Sequence, residues 1–359
     1  MNKKKGLTYK DSGVDIFEEG EAIDQIWRLL PKTFQLNPKV KFLPAISHYG
    51  GIVDIGMPDK YLVVTVDGVG SKVLIAEMLE KYDTVGIDCI AMNVNDLICV
   101  GAEPLVFVDY FAIEQPNSHM AYQITQGLVK GAEQAKMVII GGETATLPDI
   151  IRGVDGKGFD LAGTAIGIVD KNKLLLGDKI QPGDAIFGIA SSGLHSNGYS
   201  LVRKVLLEKH AITDTVNGIS LAEELLRPTA IYVQEVLELI DKVGLHGLAN
   251  ITGGAFLKLA RLLRQSKEEI GVLLDNLPEP PLIFKLIQSL GNISNKEMYQ
   301  TLNMGIGFCI IAPPEAFTKI KEICTKYNKT VYQIGKITNK KQITIKLPSE
   351  TLDYPTNKY

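Results

Sequence analysis

The chain has no CxxC pair, no Walker A loop, no GxSxG elbow and no three-glycine dinucleotide fingerprint. Its four cysteines, Cys89, Cys99, Cys309 and Cys324, stand singly with no histidine at zinc-site spacing, so they read as reduced packing thiols. GVGSKV lacks the third glycine of a Rossmann turn, and GIGFCI reads as strand. Without GxSxG, the serines and histidine of SSGLHS do not make a hydrolase triad of the elbow type. The start, MNKKKGLTYKDSG, is basic, but no apolar segment of signal-peptide or membrane-spanning length follows it, and a cytoplasmic protein away from membranes is expected. A net charge of -3 leaves no basic footprint for nucleic acid. Low-complexity stretches and repeats of 20 to 50 residues are also missing.

What remains is a globular α/β composition, 45% hydrophobic and 22% charged over 359 residues, more than one core usually fills. Two domains are expected, 1–172 and 173–347, divided at the polar KNKLLLGDKIQPGD passage, with a polar tail at 348–359 that has two prolines and reads as mobile surface. Strands are predicted at 61–66, 105–110, 137–140 and 161–169, and helices at 84–100 and 118–135. The second half offers a strand at 184–190, a helix at 198–208, a helix opened by Pro228 and running to 242, more helix through 264, and strands in GVLLDNL, NMGIGFCIIA, TVYQIGKI and QITIKL.

Chemistry concentrates in four places. Asp67, Gly68, Gly70, Ser71 and Lys72 put an acid, two permissive glycines, a hydroxyl and a cation in six residues after a buried strand. Glycine lets backbone N–H groups approach phosphate, lysine neutralises it and aspartate can hold Mg²⁺; the competing reading is a strand-to-helix turn capped by its own Asp. On the 84–100 helix, Asp88, Met92, Asn95, Asp96 and Cys99 share one face of an otherwise apolar cylinder. A carboxylate there is costly unless paired, hydrogen-bonded or on a metal, which marks Asp96. Gly142, Glu143 and Thr144 follow the strand MVII, where a turn and a ligand site are both reasonable, and Glu143 becomes a third metal candidate. Finally, Ser191, Ser192, His195, Ser196 and Asn197 crowd a strand-to-helix loop that could hold phosphate, with an imidazole available for proton transfer. Ser47-His48-Tyr49-Gly50-Gly51, Thr252-Gly253-Gly254 and Met304-Gly305-Ile306-Gly307 are weaker turn signals.

The ordered set LTYKDSGVDI, DGVGSK, VGIDCIAMNVNDLICVGAEP, GGETATLP, DLAGTAIG, SSGLHSNGYSLVRKVL, LLRPTAIYV, ITGGAF and NMGIGF resembles the phosphoribosylformylglycinamidine cyclo-ligase family over about residues 7 to 345. D-x4-G-A-x-P, from Asp96 to Pro104, is similar to a wider ATP-using superfamily that includes thiamine-monophosphate kinase and selenide water dikinase. No cysteine precedes position 89, so the dikinase nucleophile is missing, and SHYGG stands where thiamine-monophosphate kinases carry paired aspartates. SHYGG also departs from the more glycine-rich segment of many cyclo-ligases. The resemblance implies a homodimer of two-domain α/β subunits whose N-terminal sheets pair across the dimer. It also implies ATP and Mg²⁺, with a monovalent cation left open, and formylglycinamidine ribonucleotide as substrate. On this reading Asp67, Asp96 and Glu143 hold the metal, and Lys72 meets the γ-phosphate. Gly68, Gly70, Ser71, Gly142, Glu143 and Thr144 line the nucleotide. His195 relays a proton, and Ser191, Ser192, Ser196, Asn197, Thr252, Gly253 and Gly254 meet the substrate.

Overall fold

The computed structural model describes residues 6–43, 49–264, 266 and 269–356. Two sheets carry the chain. The first has strands β1 (Lys41–Phe42), β2 (Gly51–Asp54), β3 (Lys60–Gly68), β4 (Glu103–Ile113), β5 (Val138–Thr146) and β6 (Phe159–Asp170), in the order β1-β2-β3-β6-β4-β5. The pairing is antiparallel except for β4 with β5. A second sheet collects β7 (Ala185–Ala190), β10 (Gly247–Asn250), β11 (Gly271–Leu274), β12 (Ile306–Ala312), β13 (Val331–Thr338), β14 (Gln342–Lys346) and β15 (Thr351–Pro355), while β8 (Thr215–Val216) and β9 (Ile219–Ser220) form a small hairpin. No strand is shared between the sheets, and the fold class is the mixed α/β expected. The expected division near 172 falls in a short turn, Lys171–Lys173, between β6 and β7.

The helices are α1 (Ile16–Leu29), α2 (Val73–Leu79), α3 (Val85–Cys99), α4 (Ser118–Ala135), α5 (Tyr199–Leu207), α6 (Leu221–Leu226), α7 (Val233–Lys242) and α8 (Leu259–Leu263), with three more toward the C-terminal end. α3 is apolar all round because it is covered all round. It lies on the first sheet, against α4, and on its other side against β10 and α7. Only Ile87 and Asp96 on it are not fully buried. Its polar side chains therefore act as joints. Asn93 donates to the carbonyl of Asp67 at 3.1 Å and fixes the end of β3 on the helix. Asn95 donates to Ala230 O at 2.9 Å and accepts from the N–H of Tyr232 at 3.0 Å, tying in the second half.

Three expectations are corrected. GGETAT continues β5 rather than ending it: a bulge with Gly141 at φ 147° lets the chain stay paired, and Gly142 to Thr146 face Asp109 to Ile113. Pro228 does not open a helix: α6 ends at Leu226 and α7 begins at Val233, and the backbone between them bonds to side chains instead, of Lys72, Ser192, Asp88, Asn95 and Lys329. The tail is not loose surface over 351–355. β15 pairs with β14 and buries Leu352 and Tyr354 on alternate positions. Among the described residues no helix is long and apolar enough to cross a membrane, and all four cysteines are buried thiols.

Candidate functional site

The DGVGSK turn and the SSGLHSNGYS loop, about 125 residues apart in sequence, are stitched together. Ser196 Oγ donates to Val69 O at 2.6 Å, and the hydroxyls of Ser71 and Ser200 lie 3.3 Å apart. Below them Lys72 is fully buried. Its ammonium lies 2.9 Å from Asp88 Oδ1 and 2.8 Å from Oδ2, and it donates to the carbonyls of His195 at 3.2 Å and Arg227 at 2.7 Å. Asp88 Oδ1 also accepts from the N–H and hydroxyl of Thr229, at 2.7 and 2.6 Å. Burial pushes Lys72 down and Asp88 up, and each opposes the other's shift. The lysine expected on phosphate is thus placed inside a clamp that joins the two halves, with no side-chain surface left for a ligand.

The loop serines are likewise occupied. Ser191 Oγ donates to Gly193 O at 2.9 Å, and Ser192 Oγ to Pro228 O at 2.7 Å. With Ser196 already on Val69, the three hydroxyls hold the loop in shape. His195 sits at φ 63° in the left-handed region and is buried under β12, where a side chain on Gly307 would strike its Cε1 at 2.4 Å. Its Nε2 accepts from the N–H of Ser192 at 3.2 Å, so the proton of the neutral ring belongs on Nδ1, which has no hydrogen-bond partner among the described residues. Burial, with Lys72 and Lys329 nearby, lowers the imidazole to about 3. It is neutral at physiological pH.

Beside this loop, at the junction of α3 with the segment after β10, Asp67, Asp96, Asn197 and Lys258 are partly exposed and border one cleft. Asp96, in the last turn and a half of α3, accepts from Asn250 Nδ2 at 2.7 Å. Asp67, at the end of β3, feels burial and the Asp96 carboxylate, and rises to about 6 despite the N–H of Gly68 at 2.8 Å. Asn197 reaches the same cleft, its amide 3.8 Å from Met92 Sδ and its Oδ1 3.3 Å from where a side chain on Gly253 would begin. Thr252 is buried and Gly254, at φ 86°, turns the chain into Ala255–Lys258. Lys258 and Arg261 close the cleft, and sequence reasoning missed both. Arg261 and burial hold Lys258 down to about 8, burial being the larger cause.

Glu143 is not in this cleft. Asp67, Gly163, Asp109 and Gly142 form one cross-strand row, and Gly68, Ala162, Tyr110 and Glu143 form the next, so Glu143 projects from the opposite face. That face is open and apolar: Val66 is 74% exposed, Val138 61% and Ile140 64%. Gly142, Glu143 and Thr144 are exposed on its edge strand. Asp109, unremarked in the sequence, lies on the α3 side over Gly142. Among the described residues no group of three His, Cys, Asp or Glu side chains could hold a metal ion. Ser47 and His48 lie outside the described residues. Tyr49 is buried, with the charged ends of Lys258 and Arg261 at 6.0 and 5.6 Å from its ring centroid.

Two α/β halves meeting across a buried helix, with paired acids of the first half facing glycine turns and cations of the second, define the class. The chain belongs to the AIR synthase related family: the N-terminal domain of that family matches residues 48–169 and its C-terminal domain residues 181–348. Among its relatives, a phosphoribosylformylglycinamidine cyclo-ligase of Methanocaldococcus jannaschii is 48% identical over 342 residues, 94% of either chain. The protein of the same name from Pyrococcus horikoshii is 46% identical over 334 residues, 92% of this chain and 95% of that one. In solved structures the fold resembles thiamine-monophosphate kinase from Stenotrophomonas maltophilia, with TM-score 0.62, 20% identity and coverage of 89% and 95%. It also resembles AaThiL complexed with AMPPCP and TMP, with TM-score 0.64, 16% identity and coverage of 93% and 96%.

Proposed function

We propose that this chain closes formylglycinamidine ribonucleotide to 5-aminoimidazole ribonucleotide, with ATP converted to ADP and phosphate, as a cytoplasmic enzyme of purine biosynthesis. An amide carbon is a poor electrophile and its oxygen a poor leaving group. Transfer of the γ-phosphoryl group to the formyl oxygen gives an iminophosphate. The ribosyl-bearing nitrogen then attacks the formyl carbon, loses its proton, and the oxygen departs within phosphate. Such a reaction asks the protein for alignment and charge placement more than for covalent help.

The observation that carries this reading is the meeting of Asp67 and Asp96 with Asn197, Asn250 and the 252–254 turn, the family's motifs from both halves in one cleft. Mg²⁺ usually takes one or two protein carboxylates plus substrate phosphates, and two acids beside the buried Asn250 Oδ1, which has no hydrogen-bond partner among the described residues, suit that demand. When bound, the ion would offset the charge of the triphosphate. Asp67 and Asp96 would hold it, with Gly68 and Gly70 presenting backbone to the nucleotide. Asn197 with Thr252, Gly253 and Gly254 would face the substrate. His195 serves in this reading as a neutral donor through Nδ1, since a base of such low affinity for protons relays none at neutral pH. Glu143, on the open apolar face, would act at a homodimer in which the first sheets of two copies face one another.

Purified protein given ATP, Mg²⁺ and formylglycinamidine ribonucleotide should yield the aminoimidazole product. Turnover of thiamine monophosphate or selenide in place of that substrate would overturn the assignment.

A further inference from the structure

Lys258 ends the short helical turn Ala255–Lys258 and Arg261 lies three residues on in α8, so both point from one side of this segment. Both stand against the ring of Tyr49, on the segment that follows Asn250, whose amide donates to Asp96, and both charges favour the ionised forms of Asp96 and Asp67. Yet among the described residues neither cation makes an ion pair within 4.0 Å. Two acids and two cations face one cleft without neutralising one another by contact. That arrangement suits a ligand carrying both signs: a divalent cation for the carboxylates and polyphosphate oxygens for the ammonium and guanidinium. The one lysine that the motifs offered for this task, Lys72, is consumed by Asp88 and two carbonyls.

We infer that Lys258, supported by Arg261, is the residue that contacts the terminal phosphates of the nucleotide at the Asp67–Asp96 cleft. This rests on the proposed function for the identity of the nucleotide, and it moves phosphate recognition from the DGVGSK turn of the first half to the segment after ITGG in the second. Because the two halves are already joined through Lys72, Asp88 and Asn250, the cation of the second half stands beside the acids of the first before any nucleotide binds.

The test is calorimetric binding of a nonhydrolysable ATP analogue and of AMP to the full-length protein, with Mg²⁺ present, alongside steady-state turnover. Lys258→Gln should weaken the triphosphate analogue by about 10- to 100-fold, the effect of one charge-assisted contact, while AMP binding and melting temperature stay as in wild type. Lys258→Arg should recover most of the loss. Equal affinity of Lys258→Gln and wild type for the triphosphate overturns the inference, as does an equal loss for AMP. If Lys258→Gln does not fold, Arg261→Gln takes its place with the same readout, and unchanged triphosphate affinity there also overturns it. Wild-type protein that binds the analogue but forms no aminoimidazole product would sink the proposed function and leave this binding result to be judged separately.

Discussion

Lys72→Met separates two accounts of the same lysine. Met keeps the stem and removes the ammonium, leaving the Asp88 carboxylate buried with only the N–H and hydroxyl of Thr229 as donors. The carbonyls of His195 and Arg227 lose their donor as well. Both charged side chains are 0% exposed, so solvent does not dilute the effect. Breaking a buried pair from one side costs about 3 to 5 kcal/mol, and at about 2 to 4 °C per kcal/mol the melting temperature should fall by about 6 to 20 °C. Scanning calorimetry at neutral pH reads this directly. Lys72→Met combined with Asp88→Leu should regain much of the loss, because no unpaired charge is then left inside. A single variant melting within about 2 °C of wild type, yet slower by about two to three decades, would return Lys72 to the phosphate and refute the clamp.

Two further outcomes follow, one from burial and one from exposure. Unfolded His195 takes up a proton near 6.5, whereas the folded ring waits until about 3, so its contribution to stability is present above 6.5 and is lost as pH falls toward 3. His195→Asn, with a residue that tolerates left-handed backbone, should flatten the acid limb of stability by about 2 kcal/mol at about pH 5, and an acid limb identical to wild type would show that the ring binds its proton equally in the folded and the unfolded chain. With the first sheets of two copies paired through the open face as proposed, Ile140→Glu should convert the dimer to monomer in sedimentation with the secondary structure unchanged, while a dimer of wild-type affinity would overturn that pairing.

Sequence periodicity read the regular elements well where a long pattern and a local cap agreed. The 118–135 helix is such a case: its apolar face recurs over five turns, and Asn117 Oδ1 caps it from the N–H of Met120 at 3.0 Å. β15 escaped because two buried residues, Leu352 and Tyr354, make too short an alternation to outweigh the flanking prolines. Asp67, Asp96 and Asn197 were legible as chemistry because each is a polar residue where an apolar one or a plain turn would do. Lys72 was misplaced for a physical reason. Its neighbours in sequence are glycines that suit phosphate, but its neighbours in space are Asp88, His195 and Arg227, up to 155 residues away. Lys258 carried the reverse difficulty, since one lysine in an amphipathic segment looks like solvated surface until Asp96 and Tyr49 are known to face it.

The two faces of the first sheet set the final test. Asp67 projects toward α3 and Glu143 away from it, so side chains of one copy do not bring all three acids together. If Glu143 serves the site of a second copy, a dimer of one Asp67→Asn chain and one Glu143→Gln chain contains a site with both acids intact and a site with neither. Random pairing makes half the dimers mixed, so co-expressed chains, each inactive alone, should recover about a quarter of wild-type turnover. If Glu143 serves its own copy, every site in every mixed dimer lacks one acid and no activity returns. Recovery near a quarter therefore requires both the dimer and the crossing of Glu143 to the partner's cleft, and its absence, with mixed dimers verified by mass, confines Glu143 to its own copy or to no site at all.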